Sequence, residues 1–178
     1  MKKIFLILVF LVNSYSSDEN KLKSMIKIGD ISGDFNQTKV LASFKNPIKS
    51  EGVFKIYDKT FEQNTTKPFK ASIKVNKDGV FEYKDGNFIK INSNFDEELF
   101  LNIFTLNFDK LKQNFDYKLE FKDGWKVVLK PTGIIAKIFK NIEIYGKNYV
   151  EKIILNESNG DQTIYNFFNI KLKKIYFL

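Results

Sequence analysis

The chain has 178 residues, 29 of them lysine and none arginine, and 21 acidic residues leave it with a net charge of +8. It contains neither histidine nor cysteine, which excludes Ser-His-Asp and Cys-His nucleophilic sites, disulfide frameworks and the usual zinc ligand sets. Its nineteen phenylalanines point to a protein whose work is apolar contact.

Met1–Ser16 has the parts of a secretory signal peptide. Lys2 and Lys3 precede an uninterrupted apolar run from Ile4 to Val12, and Ser14 and Ser16 flank Tyr15 as the small residues before a cut at Ser17. Nine apolar residues are too few to span about 30 Å of hydrocarbon. The expected product is residues 17–178, one monomeric domain in the periplasm, carrying +6 once Lys2 and Lys3 are removed from the +8. No cysteine follows the apolar run, so lipid anchoring there is not expected. The lysines alternate with apolar residues, as in Lys70-Ala71-Ser72-Ile73-Lys74-Val75. They read as solvated strand faces, and nucleic acid is not an expected partner.

Ser17 to Ile28 reads as a short helix, capped by Ser17 and ended by Gly29 and Gly33. From Asp34 the pattern turns to period two, with Phe35, Gln37, Lys39 and Leu41 on one face. Strands follow over Gly52–Tyr57, around Thr60–Gln63, and over Phe69–Val75, Gly79–Lys84 and Asn87–Ile91. Asp78-Gly79 and Asp85-Gly86 mark tight hairpins, because Asp-Gly tolerates positive φ. This stretch predicts a six-stranded meander. Ser93-x-x-Asp96 has capping-box spacing, and the stripes Phe95-Leu99-Ile103-Phe104 and Phe108-Leu111-Phe115 predict two short helices broken near Leu106-Asn107. Five further strands are expected over Tyr117–Phe121, Trp125–Leu129, Lys140–Tyr145, Val150–Asn156 and Gln162–Asn169, with a helical turn within Thr132–Lys137. About eleven antiparallel strands must curl, and their concave face must be covered or filled.

Several of these segments resemble the periplasmic lipoprotein carrier family, LolA, and its LolA-related branch. They are Asp34-Phe35-x-Gln37-x-Lys39-x-Leu41, Pro47-x-x-Ser50-x-Gly52-x-Phe54 and Lys67-Pro68 in the first half. In the second half they are Trp125-x-x-x-Leu129-x-Pro131, Phe139-x-x-Ile142-x-Ile144-x-Gly146 and Glu157-x-x-Gly160-Asp161-x-Thr163-x-x-x-Phe167. The resemblance spans roughly residues 20–170. It implies a mainly β fold with some α: an incomplete antiparallel β-barrel whose apolar cavity is covered by short lid helices. It also implies a carrier that takes acylated lipoproteins from an inner-membrane ABC transporter to an outer-membrane acceptor, with no enzymatic activity and no cofactor. The chain departs from the family at its lid contacts. The family's early-strand arginine is absent, and Gln63 follows Phe61 where the family has a tryptophan.

On this reading the expected cavity wall is Phe54, Ile56, Phe61, Phe69, Ile73, Val75, Phe81, Tyr83 and Ile91. The expected lid is Leu99, Phe100, Ile103, Phe104, Phe108 and Leu111. Other readings are open to the same residues. Asp96, Glu97 and Glu98, or Glu157 with Asp161, could form a carboxylate pair for acid–base work, although a helix start and a hairpin explain them more simply. A curved sheet could also serve as a protein-interaction module, or as a carrier of another lipid or glycolipid. No catalytic residue and no metal ligand is assigned.

Overall fold

The computed structural model describes residues 12–27, 29–92 and 96–173, with side chains from Ser17 onward. A helix α1 (Val12–Met25) precedes six strands: β1 (Ile31–Val40), β2 (Ile48–Tyr57), β3 (Thr60–Lys67), β4 (Ala71–Asn76), β5 (Gly79–Lys84) and β6 (Asn87–Ile91). Two short helices follow, α2 (Glu97–Thr105) and α3 (Phe108–Leu111). The chain then completes the sheet with β7 (Phe115–Glu120), β8 (Trp125–Pro131), β9 (Phe139–Gly146), β10 (Val150–Glu157) and β11 (Gln162–Leu172).

The eleven strands form one antiparallel sheet in the order β6-β5-β4-β3-β2-β1-β11-β10-β9-β8-β7. It is two meanders joined through the first and last strands, which pair from Ile31↔Leu172 to Val40↔Gln162. Among the described residues β6 and β7 are left as unpaired edges, so the barrel is incomplete, as expected. The turns explain the meanders. Asp85 and Gly86 both have positive φ, at 51° and 89°, the combination a two-residue hairpin with the sheet's own twist requires. Asp58 and Lys59 do the same at 43° and 57° without any glycine, which is why that turn left no signal in the sequence.

Three local expectations change. α1 begins at Val12, so Ser17 lies inside the helix and does not cap it. The apolar run before Val12 lies outside the described residues. Gly33 belongs to β1, where a Cβ would sit 2.8 Å from Phe168 O and 2.9 Å from Phe54 Cε1; glycine is required there by close approach, not by a helix end. The cap of α2 is Asp96, whose Oδ1 accepts from Leu99 N–H at 2.8 Å. Ser93 and Phe95 lie outside the described residues. The break between the lid helices falls as predicted, with Leu106 left-handed at φ 51°.

The concave face holds the core. In the β8–β10 half it is Val127, Leu129, Ile142, Ile144 and Ile153, all fully buried, under Leu22 of α1 and Leu111 of α3. Each such side chain contributes about 1.5–3 kcal/mol on burial. The convex face is solvated, with pairs such as Lys126–Glu143 at 2.9 Å. Among the described residues, no helix is long and apolar enough to cross a membrane.

Candidate functional site

The register decides which side chains face the lid. Pairing of Ile31↔Ile56, Ile56↔Phe61, Phe61↔Val75 and Gln63↔Ile73 puts Ile56, Phe61, Ile73 and Val75 on the concave face, together with Phe54. β4 and β5 are joined by the two-residue turn Lys77-Asp78 and pair as Val75↔Val80 and Ile73↔Glu82. Such a turn pairs odd-numbered residues with even-numbered ones, so the inward set moves to Val80 and Glu82. The next two-residue turn restores the odd set, and Ile91 pairs with Val80 on the inside.

Three expected wall residues are therefore elsewhere. Phe81 and Tyr83 stand on the convex face, where Lys74 Nζ lies 5.1 Å from the Phe81 ring centre and 4.3 Å from that of Phe88. Tyr83 packs edge-on against Phe88 at 5.2 Å. Phe69 lies in the turn between β3 and β4 and is 81% exposed. The strand there starts at Ala71, two residues later than the pattern suggested.

The lid residues gather as expected in position. Leu99, Ile103, Phe104, Phe108 and Leu111 are buried, and Phe100 is half-buried. Phe104 is the wedge. Its ring centre lies 4.1 Å from Phe100 in the lid, 4.8 Å from Phe61 on β3, and 5.8 Å from both Tyr165 and Phe167 on β11. One side chain thus links the lid to both meanders through ring–ring contact. Burial among these rings pushes the Tyr165 hydroxyl up to about 12. The side-chain polar contacts of α2 stay within the lid: Thr105 donates to Leu101 O at 2.7 Å, and Glu98 pairs with Lys110 of α3 at 3.2 Å.

Beneath the end of α2 lies a cavity of about 140 Å³, walled by Phe54, Ile56, Phe104, Leu106, Val150 and Phe167. Lys27 and Tyr149 stand beside it, where Lys27 N–H donates to Asn148 O at 2.8 Å. An apolar void of this size holds a molecule the size of benzene. The late-strand wall, Phe167 and Tyr165 above all, was missed in the sequence, although the alternation Thr163-x-Tyr165-x-Phe167 was there to find it.

A buried polar latch ties α1 to the other two layers. Glu19 accepts a hydrogen bond from the Tyr117 hydroxyl of β7 and pairs with Lys112, just past α3, at 2.7 Å. Burial alone would raise the Glu19 carboxyl, but hydrogen bonds from Lys112 and Tyr117 and the charges of Lys112 and Lys23 outweigh it and hold the pKa below 4.5. The native state therefore binds fewer protons than the unfolded chain just below the ordinary carboxylate range. Glu19 adds stability above pH 4.5 that is lost as pH falls through its depressed value. Glu19→Gln is expected to lower unfolding free energy by about 1–3 kcal/mol at pH 7 and to flatten its acid dependence, as read by urea titrations at pH 7 and pH 3.5. An unchanged acid slope would show that other carboxylates carry it.

Three of the acids that could have suggested catalysis have structural partners: Glu98 pairs with Lys110, and two others are held by hydrogen bonds. Asp96 caps α2, and Asp161 accepts from Ala42 N–H at 2.8 Å and from Asn159 Nδ2 at 3.1 Å.

No protein-family model matches the chain, and no curated protein is recognisably similar to it in sequence. Solved structures do resemble it. A LolA superfamily protein from Nitrosomonas europaea superimposes with a TM-score of 0.52 at 10% identity, covering 90% of this chain and 94% of that one. The MucA/MucB complex of Pseudomonas aeruginosa gives 0.48 at 9%, covering 88% of this chain and 56% of its counterpart. The lipoprotein LppX of Mycobacterium tuberculosis gives 0.45 at 7%, covering 87% and 92%. Identities this low speak to the fold alone, and the fold is LolA-like.

Proposed function

We propose that this LolA-like chain is a periplasmic carrier that shields the acyl chains of lipoproteins while they move from the inner to the outer membrane. The observation that carries the proposal is the Phe104 wedge above an apolar cavity, held by interchangeable ring contacts. Each methylene left in water costs about 0.8 kcal/mol, so two or three acyl chains of membrane length cost on the order of 25 to 35 kcal/mol exposed. A carrier must cover that surface and still release it.

The lid is built for such an exchange. If α2 swings about Leu106-Asn107, Phe104, Ile103 and Leu99 leave the concave face and acyl methylenes take their places. Apolar contact is non-directional, so the trade changes partners at little net cost. The Glu19 latch joins α1 to Lys112, just past α3, and to Tyr117 of β7, so it keeps the other half of the cover docked while α2 moves. This division gives a cover with one anchored and one exchangeable part.

The test is release of a newly acylated lipoprotein from inner-membrane vesicles containing an energised ABC transporter. A one-to-one complex in the supernatant is expected, and Ile103→Asp is expected to abolish it by placing a charge where methylenes must pack. Uptake of a fluorescent fatty acid without release of lipoprotein would replace the cargo with another lipid. Failure of both would overturn the carrier reading.

A further inference from the structure

The two ends of the sheet are chemically different. At the end bearing the cavity, the tight turns are Asp58-Lys59, Lys77-Asp78, Lys122-Asp123 and Lys147-Asn148. Three of these four set a lysine beside an aspartate, and none carries an exposed large apolar residue. The opposite end is built otherwise. The turn between β1 and β2 exposes Phe44 (65%) and Ile48 (53%), and the loop between β8 and β9 exposes Ile134 (72%) and Ile138 (51%). Phe69 projects from the β3–β4 turn at the same end.

The β1–β2 turn and the β8–β9 loop form one platform. The β10–β11 turn braces both: Asp161 Oδ1 accepts from Ala42 N–H at 2.8 Å, Ser158 N–H donates to Ile138 O at 2.9 Å, and Ser158 Oγ donates to Ala136 O at 3.1 Å. Five exposed lysines surround the apolar tips: Lys45, Lys49, Lys130, Lys137 and Lys140. None of the five belongs to an ion pair among the described residues. The acids on the three segments are Glu157 and Asp161, both half-buried, with Asp161 already accepting two hydrogen bonds, and exposed Asp116 of β7 stands opposite Lys130 in the ladder.

We infer that this rim docks on a bilayer surface bearing anionic headgroups. Lysines outside any ion pair attract such a surface by about 1 kcal/mol each, Lys130 less so because Asp116 faces it, and single apolar side chains on protruding turns can enter the headgroup boundary. A protein partner fits the rim less well, because a protein interface needs a contiguous buried patch of about 800 Å² per side. The exposed apolar side chains here are few and are interspersed with exposed lysines. The inference is independent of cargo, and it places the docking surface at the end of the barrel away from the cavity. The carrier would then sit on a membrane with its lid end facing the opposite way, free to meet a protein donor or acceptor.

The chain lacks cysteine, so Ser43→Cys on the rim and Lys77→Cys at the other end each take one environment-sensitive label. With vesicles of phosphatidylcholine and phosphatidylglycerol, the label at position 43 is expected to shift to the blue and the label at 77 to stay unchanged. Combining Lys45→Gln with Lys137→Gln is expected to weaken partitioning on the order of 30-fold. Phe44→Ser, whose side chain is 65% exposed, is expected to weaken it on the order of tenfold. The N-terminal apolar run is common to every variant, so vesicle binding with a silent label at 43 would assign the binding to that run and overturn the proposal. An equal shift on pure phosphatidylcholine, or a shift produced only by a soluble protein, would also overturn it.

Discussion

Phe104→Ala is expected to lower the unfolding free energy by about 3–4 kcal/mol, measured from urea midpoint and slope, while raising the uptake of a small apolar probe. The two effects move in opposite directions for one reason. Phe104 packs against rings from α2, β3 and β11, so its removal deletes contacts with three separate elements. Those elements belong to different parts of one continuous sheet and its cover, and they cannot all close in on the gap. The space vacated also opens directly into the existing cavity of about 140 Å³, which Phe104 helps to wall. A loss below about 1 kcal/mol would mean that the lid is not docked on the sheet in solution. A full stability loss without added probe uptake would mean that the site collapses, and the cavity would then have no bearing on cargo.

Gly146→Val is expected to be the more damaging change, costing about 3 kcal/mol or more. A Cβ at this position would lie 1.9 Å from Tyr149 O and 2.4 Å from Trp125 Cζ2. Neither neighbour can yield cheaply. Tyr149 O is backbone in the β9–β10 turn, where it accepts from Lys147 N–H at 3.2 Å. Trp125 is buried and donates its indole N–H to Lys147 O at 2.7 Å. The strain would reach the cavity as well, because Tyr149 and Val150 line it. Trp125 is the sole tryptophan, so its fluorescence and near-ultraviolet dichroism report on this corner directly. A native-like tryptophan signal with an unshifted thermal midpoint would show that the turn relaxes easily and that the glycine is not required by packing.

Much of the architecture could be read from local chemistry. Asp85-Gly86 and Asp123-Gly124 place hairpins because their backbone preference is settled within two residues. The lid break at Leu106-Asn107 follows from two apolar stripes that no single straight helix can align. Eleven strands could be counted because most are bounded by such signals, the β2–β3 turn at Asp58-Lys59 being an exception. The family resemblance added the curvature and the cover, which period and turn chemistry do not specify by themselves.

The face of each strand was harder, and the errors have one cause. Ile73 and Val75 point inward, yet the same parity carried across Lys77-Asp78 to Phe81 and Tyr83 points outward, since a two-residue turn exchanges odd for even. Phe69 was misplaced because the strand begins two residues later, at Ala71. Hydrophobicity gave no warning, because the convex face near β5 and β6 also carries rings, covered there by Lys74.

The sequence by itself determined the elements, their turns and the excess of apolar side chains, because these depend on interactions within a few residues. Only the tertiary structure decided that β1 pairs with β11, that Glu19 meets Tyr117 across 98 residues, and that Phe104 sits between Phe61 and Phe167. Those contacts close long loops, whose entropy cost is nearly indifferent to which residues meet at the ends. The choice among them falls to packing and register over the whole sheet. The wedge, the cavity and the latch are all products of that choice.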